Sequence, residues 1–492
     1  MHHHPNQAHS IKENILVSTL DQDGTKRARE INPQEEEVNT EEKNSSEGSL
    51  SSQSPTPSEL RDRFFRLAIV NILSNLLVPL AGLISIGFLG HLMEIRHLAG
   101  VTLSTVLFNY IYRTLGFLRM GTTGMTAQAV GREDQEEVLL TGLRNALIAL
   151  GLGITILILQ YPLQELGFAL LSATSEVKFS GQAYYQTRIW AAPATLLNFV
   201  LIGWFLGREH SGKVLILSAV ANGANVLLDY LYIIRWGWES AGAGLAIAVS
   251  QYLMLLVGMI FVAREVQFKE VRAIAGRLFA PSALKAVFAL NGDIFVRTFA
   301  FLSTFAIFTN LSSAMGTIML AENALLLQVL TLAIYFIDGL AFATESLAGI
   351  FIGKGTKEPL APLLQLAGAT SLILGLSIAL VFVIIPNPLF GLLTNHSEIL
   401  DCLDIYVPWL VPVLGFGSIA FILDGYFLGL AEGPTIRNAA LTASLVGFVP
   451  IAIVAWHLQS THLLWLALSV FMAARVVTLA VQVPRTLKSY TN

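Results

Sequence analysis

The sequence predicts an all-α integral membrane protein with about 12 transmembrane helices in two parallel six-helix lobes. Three observations predict this class: a low charge content, a series of apolar runs of spanning length, and an internal repeat. Of the 492 residues, 54% are hydrophobic and only 13% are charged. Soluble globular proteins carry about 25% charged residues, so the composition favours lipid as the solvent for most of the chain.

Residues 1–58 differ from the rest of the chain and predict a disordered cytoplasmic tail. They hold an acidic cluster at residues 35–42 and many Ser, Asn and Gln residues, a composition that cannot bury a core. The apolar run at residues 15–17 is too short for a signal peptide. Cys402 is the single cysteine, which excludes a disulfide framework and a Cys-rich metal site.

Apolar runs of about 20 residues, the length that crosses the hydrocarbon of a bilayer, follow one another through the rest of the chain. They predict twelve spans, at residues 64–90, 98–127, 137–160, 182–206, 213–234, 242–264, 285–311, 317–348, 361–385, 402–429, 434–457 and 461–484.

Lys and Arg residues in the predicted loops set the orientation. With the tail in the cytoplasm, the inside segments from residue 61 onward hold sixteen Lys and Arg, and the outside loops hold three. Cytoplasmic loops carry the excess of these residues, so both termini are predicted to be cytoplasmic in a plasma (inner) membrane. The connection at 264–285 holds five of the sixteen and predicts a join between lobes at 59–276 and 277–492.

The two halves repeat at an offset of 222 positions, the distance from Gly131 to Gly353. The same offset carries the Phe-Leu-Gly of residues 205–207 onto that of residues 427–429. Six spans per repeat bring both halves into the membrane from the same side, so the repeats are parallel. In transporters this arrangement places the substrate path between two lobes.

Several stretches of the membrane part carry more specific sequence. SNLLVPLAGLISIGFLGHL and LAGVTLSTVLFNYIYRTLGFLRMGTTGMTAQAVGRED resemble the first two helices of the multidrug and toxic compound extrusion (MATE) family. LAENALLLQVLTLAIYFIDGLAFATESLAGIFIGKG resembles helix eight of its DinF-like branch, and AFILDGYFLGLAEG resembles helix ten. The resemblance covers residues 61–485. It implies a two-lobed antiporter that exports organic compounds against an inward flow of H⁺ or Na⁺.

One candidate ion-coupling site lies in the first half. Asp229 follows Asn225 by four residues, so their side chains share one helix face and offer oxygen ligands for Na⁺ or a proton site. The resembling family has this Asn and Asp pair in its fifth helix. It usually also has an Asp where this chain has Ser85, which is a departure from the pattern. The alternative is a polar clamp between helices.

The second half offers Arg297, Asp338 and Asp424 within predicted spans. A charge near the centre of a span costs about 2.5–3.5 kcal/mol, so we expect the three to meet, either as a proton-coupled switch or as a static ion network. Asp293 and Glu345 lie nearer the predicted helix ends and are expected to reach the interface. The sequence does not assign roles to the remaining arginines in or near spans, which are Arg113, Arg119, Arg144, Arg188 and Arg475.

The sequence contains none of the motifs of nucleotide binding or of common hydrolases. GIFIGKGTKE lacks the spacing of a phosphate loop. We therefore expect a transporter, not an enzyme, that uses no cofactor or nucleotide, binds no nucleic acid, and draws energy from an H⁺ or Na⁺ gradient. Its partners are a small organic substrate, a coupling cation and membrane lipid. The alternative is a flippase for a lipid-linked or polymeric precursor, which would need a broad basic cavity.

Overall fold

The computed structural model describes residues 55–171, 173–391 and 404–488. Within these ranges the chain is helical and contains no β-strand, which confirms the predicted all-α class. Residues 1–54 of the predicted tail and Cys402 lie outside the described residues. The first helix begins at Pro57 because Thr56 and Glu59 form a capping box, in which each side chain accepts a hydrogen bond from the backbone N–H of the other.

Eleven helices in the described part of the chain are long and apolar enough to cross a membrane. Each coincides with a predicted span to within seven residues at either end. The remaining prediction, 98–127, is met by two shorter helices that are interrupted at Leu115 and Gly116. With these two helices counted as one broken span, the described residues contain twelve crossings, the predicted number.

The helices are numbered in chain order. The first half contains α1 (Pro57–Gly90), α2 (Ile95–Thr114), α3 (Phe117–Gly131), α4 (Gln135–Ile158), the short α5 (Gln160–Leu170), α6 (Ser175–Gly207), α7 (Ser211–Arg235) and α8 (Glu239–Glu265). The connection contains α9 (Phe268–Ile274). The second half contains α10 (Pro281–Ala314), α11 (Thr317–Gly353), α12 (Leu360–Ile384), the short α13 (Pro386–Phe390), α14 (Asp404–Gly429), α15 (Gly433–Leu458) and α16 (Thr461–Leu487).

Helix packing follows the two lobes. Within the first lobe, α1 packs on α7, and α3 packs on α6; within the second, α11 packs on α14, and α10 packs on α15. The lobes meet where α11 contacts α1 and α3. The connection is held to the first lobe by Arg144 on α4, whose guanidinium donates to the backbone carbonyls of Arg277 at 3.1 Å and Leu278 at 3.2 Å and pairs with Glu137 at 2.7 Å.

Glycines at helix crossings show the repeat in three dimensions. A Cβ atom on Gly207 would lie 2.7 Å from the carbonyl oxygen of Thr123, and one on Gly429 would collide with the carbonyl oxygen of Glu345. The second pair is the first pair displaced by 222 residues. Glycine therefore sets the close approach of α6 to α3 and of α14 to α11 in the same way.

The two lobes also meet about a local two-fold axis. A Cβ on Gly131 would collide with the carbonyl oxygen of Ile350, and a Cβ on Gly353 would collide with that of Gln128. These are reciprocal contacts, because Gly353 and Ile350 are the repeat counterparts of Gly131 and Gln128. Reciprocal contacts of this kind are produced by two-fold symmetry, as parallel repeats require.

Gly353→Val is expected to weaken this crossing, since its Cβ would lie 2.9 Å from backbone atoms of Gln128. Overpacking of this kind costs about 1–3 kcal/mol. The measurement is the thermal unfolding midpoint of the purified protein in detergent. Gly368→Val is the matched control, because nothing lies within 4 Å of a Cβ at Gly368. Equal midpoints for the two variants would contradict the close packing of α3 and α11.

Candidate functional site

A cavity of about 310 Å³ lies between the two lobes. Helices α2 and α3 of the first lobe and α10, α11 and α14 of the second contribute to its wall. Charged side chains inside a membrane protein are costly and mark functional sites by default. Six of them line this cavity: Arg113, Arg119, Arg297, Asp338, Glu345 and Asp424.

Asp424 holds two arginines on one side of the cavity. Its Oδ2 atom accepts hydrogen bonds from Arg297 on α10 and from Arg475 on α16. All three residues are buried, with 3% of Asp424, 6% of Arg297 and 1% of Arg475 exposed. The guanidinium of Arg475 lies 5.1 Å from the ring centre of Phe301 and 5.2 Å from that of Phe421. One carboxylate thus faces two fixed cations, and one positive charge remains uncompensated within this group.

Glu345 and Arg119 form a second pair that joins the lobes. Arg119 Nη1 lies 3.5 Å from Glu345 Oε2, and its guanidinium lies 3.9 Å from the ring centre of Phe342. Glu345 is 1% exposed, and its Oε1 atom makes no hydrogen bond to the described residues. The expectation that Glu345 reaches the interface is therefore wrong: α11 continues to Gly353 and keeps the carboxylate in the interior.

Asp338 lies on the same helix as Glu345, seven residues and about two turns earlier, and so shares its face. It lines the cavity with Arg297 and Asp424. The structure thus brings the three residues that the sequence selected in the second half to one place. Only Arg297 and Asp424 touch; Asp338 forms no hydrogen bond or ion pair with the part of the chain that the structure describes. It is a carboxyl group that faces the cavity and is open to a ligand.

A second cavity, of about 650 Å³, adjoins the first and shares Arg113 and Leu302 with it. It lies between α2 and the end of α10 that carries Thr309 and Ser313. Arg113 is the one charged residue in its lining. The two cavities form a cleft between the lobes, and Arg113 stands where they join.

The candidate site in the first lobe is built from α1 and α7. The Ser85 hydroxyl donates a hydrogen bond to Asp229 Oδ2, and Asn225 Nδ2 donates to the same oxygen at 3.1 Å. Asp229 is 1% exposed, and its Oδ1 atom has no partner among the described residues. Directly after Asp229 the helix widens into a π-helix at Tyr230–Arg235, a feature common at functional sites. The predicted pair shares one face, and Ser85 completes the group.

Sequence reasoning did not assign Arg113, Arg119 and Arg475 to the site. The repeat carries a signal for two of them. At the offset of 222, Arg119 corresponds to Ala341, and Arg475 corresponds to Leu253. Because the counterpart in the other repeat is apolar, the charge is not needed for the architecture that the two repeats share. This favours a role specific to one lobe.

Comparison with known proteins agrees with this geometry. The sequence profile of the MatE family matches residues 71–231 and again residues 294–455, so its two matches are the two repeats. The chain belongs to the MatE family. It is therefore a multi-pass membrane transporter, and the predicted family resemblance is confirmed.

Other MatE proteins are similar over most of the chain. The DNA damage-inducible protein F of Escherichia coli (strain K12) is 31% identical over 419 residues, which cover 85% of this chain and 90% of that protein. A probable multidrug resistance protein NorM of Thermotoga maritima is 22% identical over 76% of this chain and 80% of that protein. A multidrug resistance MATE transporter in an outward-facing conformation superposes with a TM-score of 0.80 at 20% identity. The superposition covers 89% of this chain and 100% of that chain.

Proposed function

We propose that this protein is a secondary antiporter that exports organic compounds in exchange for an inward flow of H⁺ or Na⁺, by alternating access of its two lobes. The observation that carries the proposal is the cavity with ionisable walls between the two repeats. A group that exchanges protons or cations at such a site can change the affinity for substrate. The names of two of the similar proteins, the Thermotoga maritima protein and the outward-facing MATE transporter, refer to multidrug resistance and support the same function.

The cleft has an open end and a closed end, as alternating access requires. At the closed end, α3 and α11 cross at Gly131 and Gly353, and Gln128 Nε2 donates to the carbonyl oxygen of Gly429 at 3.0 Å across the lobes. At the other end, the second cavity separates α2 from Ser313 on α10. In the predicted orientation, with both termini in the cytoplasm, the open end faces outward.

The cavity favours an exporter of small compounds over the flippase alternative. A flippase for a polymeric precursor would need a broad basic cavity. The inner cavity here is lined by as many carboxylates as arginines, and the second cavity has Arg113 as its one charged residue.

The test is transport by everted membrane vesicles that contain the protein. Dye uptake into the vesicles is measured under an imposed pH gradient, under an imposed Na⁺ gradient, and with ATP but no gradient. We expect uptake under at least one of the two gradients and none with ATP alone in the presence of an uncoupler. Equal uptake in vesicles without the protein would refute the proposal.

Asp229→Asn is expected to reduce gradient-driven uptake at least tenfold and to leave membrane abundance nearly unchanged. The reason is that asparagine keeps the hydrogen-bonded shape of the site but cannot exchange a proton and is a weaker ligand for Na⁺. Ser85→Ala is the companion variant: it removes one hydrogen bond and retains the carboxylate, so its effect should be smaller. Normal uptake by Asp229→Asn would show that coupling does not take place in the first lobe.

A further inference from the structure

Arg113 is the one arginine of the cleft that makes no ion pair with the residues that the structure describes. It is an exposed residue near the end of α2 and lines both cavities. Its guanidinium makes no ion pair within 4 Å and no hydrogen bond to the residues that the structure describes. An arginine offers five N–H donors in a planar fork, which suits carboxylate, sulfonate or phosphate oxygens.

Two of the three carboxylates of the cleft pair with arginines, and Asp338 makes no ion pair with the described residues. Asp424 is bound by Arg297 and Arg475, and Glu345 pairs with Arg119. Asp338 lines the inner cavity with three arginines, namely Arg113, Arg119 and Arg297. Counting Arg475 behind Asp424, four arginines face three carboxylates. The charge left for a ligand is positive, even with every carboxyl group ionised.

The remaining walls are apolar and aromatic. Phe301, Phe342 and Phe421 line the inner cavity, and Tyr110 and Phe305 line the second. Ligand sites of this kind bind an apolar body on hydrophobic and aromatic walls and fix its orientation with a few polar groups.

We propose that the cleft takes an amphipathic organic anion, whose acidic head group binds Arg113 at the junction of the two cavities and whose apolar body lies against the phenylalanines of the inner cavity. This inference rests on the proposed export function and names its substrate class. Arg119 is the second donor to the head group when its 3.5 Å contact with Glu345 opens. An organic cation would find Asp338 as the one unpaired carboxylate of the cleft, and would meet the excess positive charge of the four arginines, including the unpaired Arg113.

The test compares two probes with the same body and opposite charge, pyrene-1-sulfonate and trimethyl(pyren-1-ylmethyl)ammonium. Their binding to the purified full-length protein in an uncharged detergent is measured by fluorescence anisotropy. We expect the sulfonate to bind at least tenfold more tightly than the ammonium compound. Arg113→Gln should reduce sulfonate affinity about tenfold, since it removes a charge-assisted contact, and should leave ammonium affinity unchanged or increased.

Arg235→Gln is the control, because Arg235 is exposed and does not line the cleft. A stronger affinity of the wild-type protein for the ammonium probe would overturn the inference, as would an equal loss of sulfonate binding in Arg113→Gln and Arg235→Gln. Binding is measured without a gradient, so the result is independent of coupling. A protein that binds the sulfonate but shows no gradient-driven uptake would contradict the antiporter function and leave the ligand class supported.

Discussion

We expect Asp424→Asn to abolish transport and to lower the thermal unfolding midpoint more than any other single carboxylate replacement in the cleft. The substitution removes the one anion that lies between Arg297 and Arg475, both of them buried. Removal of one partner from a buried ion pair costs about 3–5 kcal/mol, because the remaining charge has no counterion. In Asp424→Asn, two guanidinium groups lose their counterion at once.

Asp293→Asn is the matched control for the stability effect. Asp293 also pairs with an arginine, Arg437 at 2.6 Å, but the Arg437 side chain is 37% exposed. The Asp293 side chain is 12% exposed, so this pair is only partly buried, and its loss should cost less than the loss of the fully buried Asp424 group. Thermal unfolding in detergent and dye uptake are measured for both variants at equal membrane abundance. Similar midpoints for Asp424→Asn and Asp293→Asn would show that the Asp424 group contributes no more than a partly buried ion pair.

Asp338→Asn is expected to reduce transport at least tenfold while leaving the unfolding midpoint within the range of the wild-type protein. Asp338 lines the inner cavity and makes no hydrogen bond or ion pair with the described residues, so its removal leaves no partner unpaired. The transport rate is expected to fall because the cavity loses a carboxyl group that is free to bind a proton or a ligand. Asp62→Asn, at an exposed position, is the control for both measurements.

The double variant Asp338→Asn/Asp424→Asn separates the two residues. Effects of residues that share no partner add, whereas those of residues in one network do not. We expect the unfolding midpoint of the double variant to equal that of Asp424→Asn, and its transport to be no higher than that of either single variant. A midpoint of the double variant that differs clearly from that of Asp424→Asn, in either direction, would show that the two carboxylates act as one network.

The membrane fold could be predicted from the sequence because each of its determinants is local. A bilayer accepts helices of about 20 apolar residues, so hydropathy alone locates the spans. The offset of 222 residues predicted two parallel lobes. The contacts at Gly207 and Gly429 explain why glycine occurs at both positions of the repeat, because a Cβ at either position would meet a carbonyl oxygen of the facing helix. The break of α2 from α3 at Gly116 was not visible in the hydropathy, since both pieces are apolar.

The candidate site could be predicted only where the partners lie on one helix or where a charge has an improbable position. Asn225 and Asp229 are four residues apart, so their shared face follows from helix geometry. Arg297, Asp338 and Asp424 were selected by the cost of a charge in lipid. Glu345 was wrongly expected to reach the membrane interface, since the predicted helix ended close to it. In the structure α11 extends to Gly353, which places Glu345 in the interior.

By itself, the sequence determined that this is a two-lobed, twelve-span membrane protein with ionisable groups in each lobe, since length, hydropathy and repeat period are properties of the chain. Only the tertiary structure decided which charges meet. Asp424 binds Arg475 across 51 positions of sequence, Glu345 reaches Arg119 of the other lobe across 226, and Arg113 is left without an ion pair in the described structure. Such pairings depend on which helix faces which, and helix packing is fixed by contacts between segments far apart in the sequence.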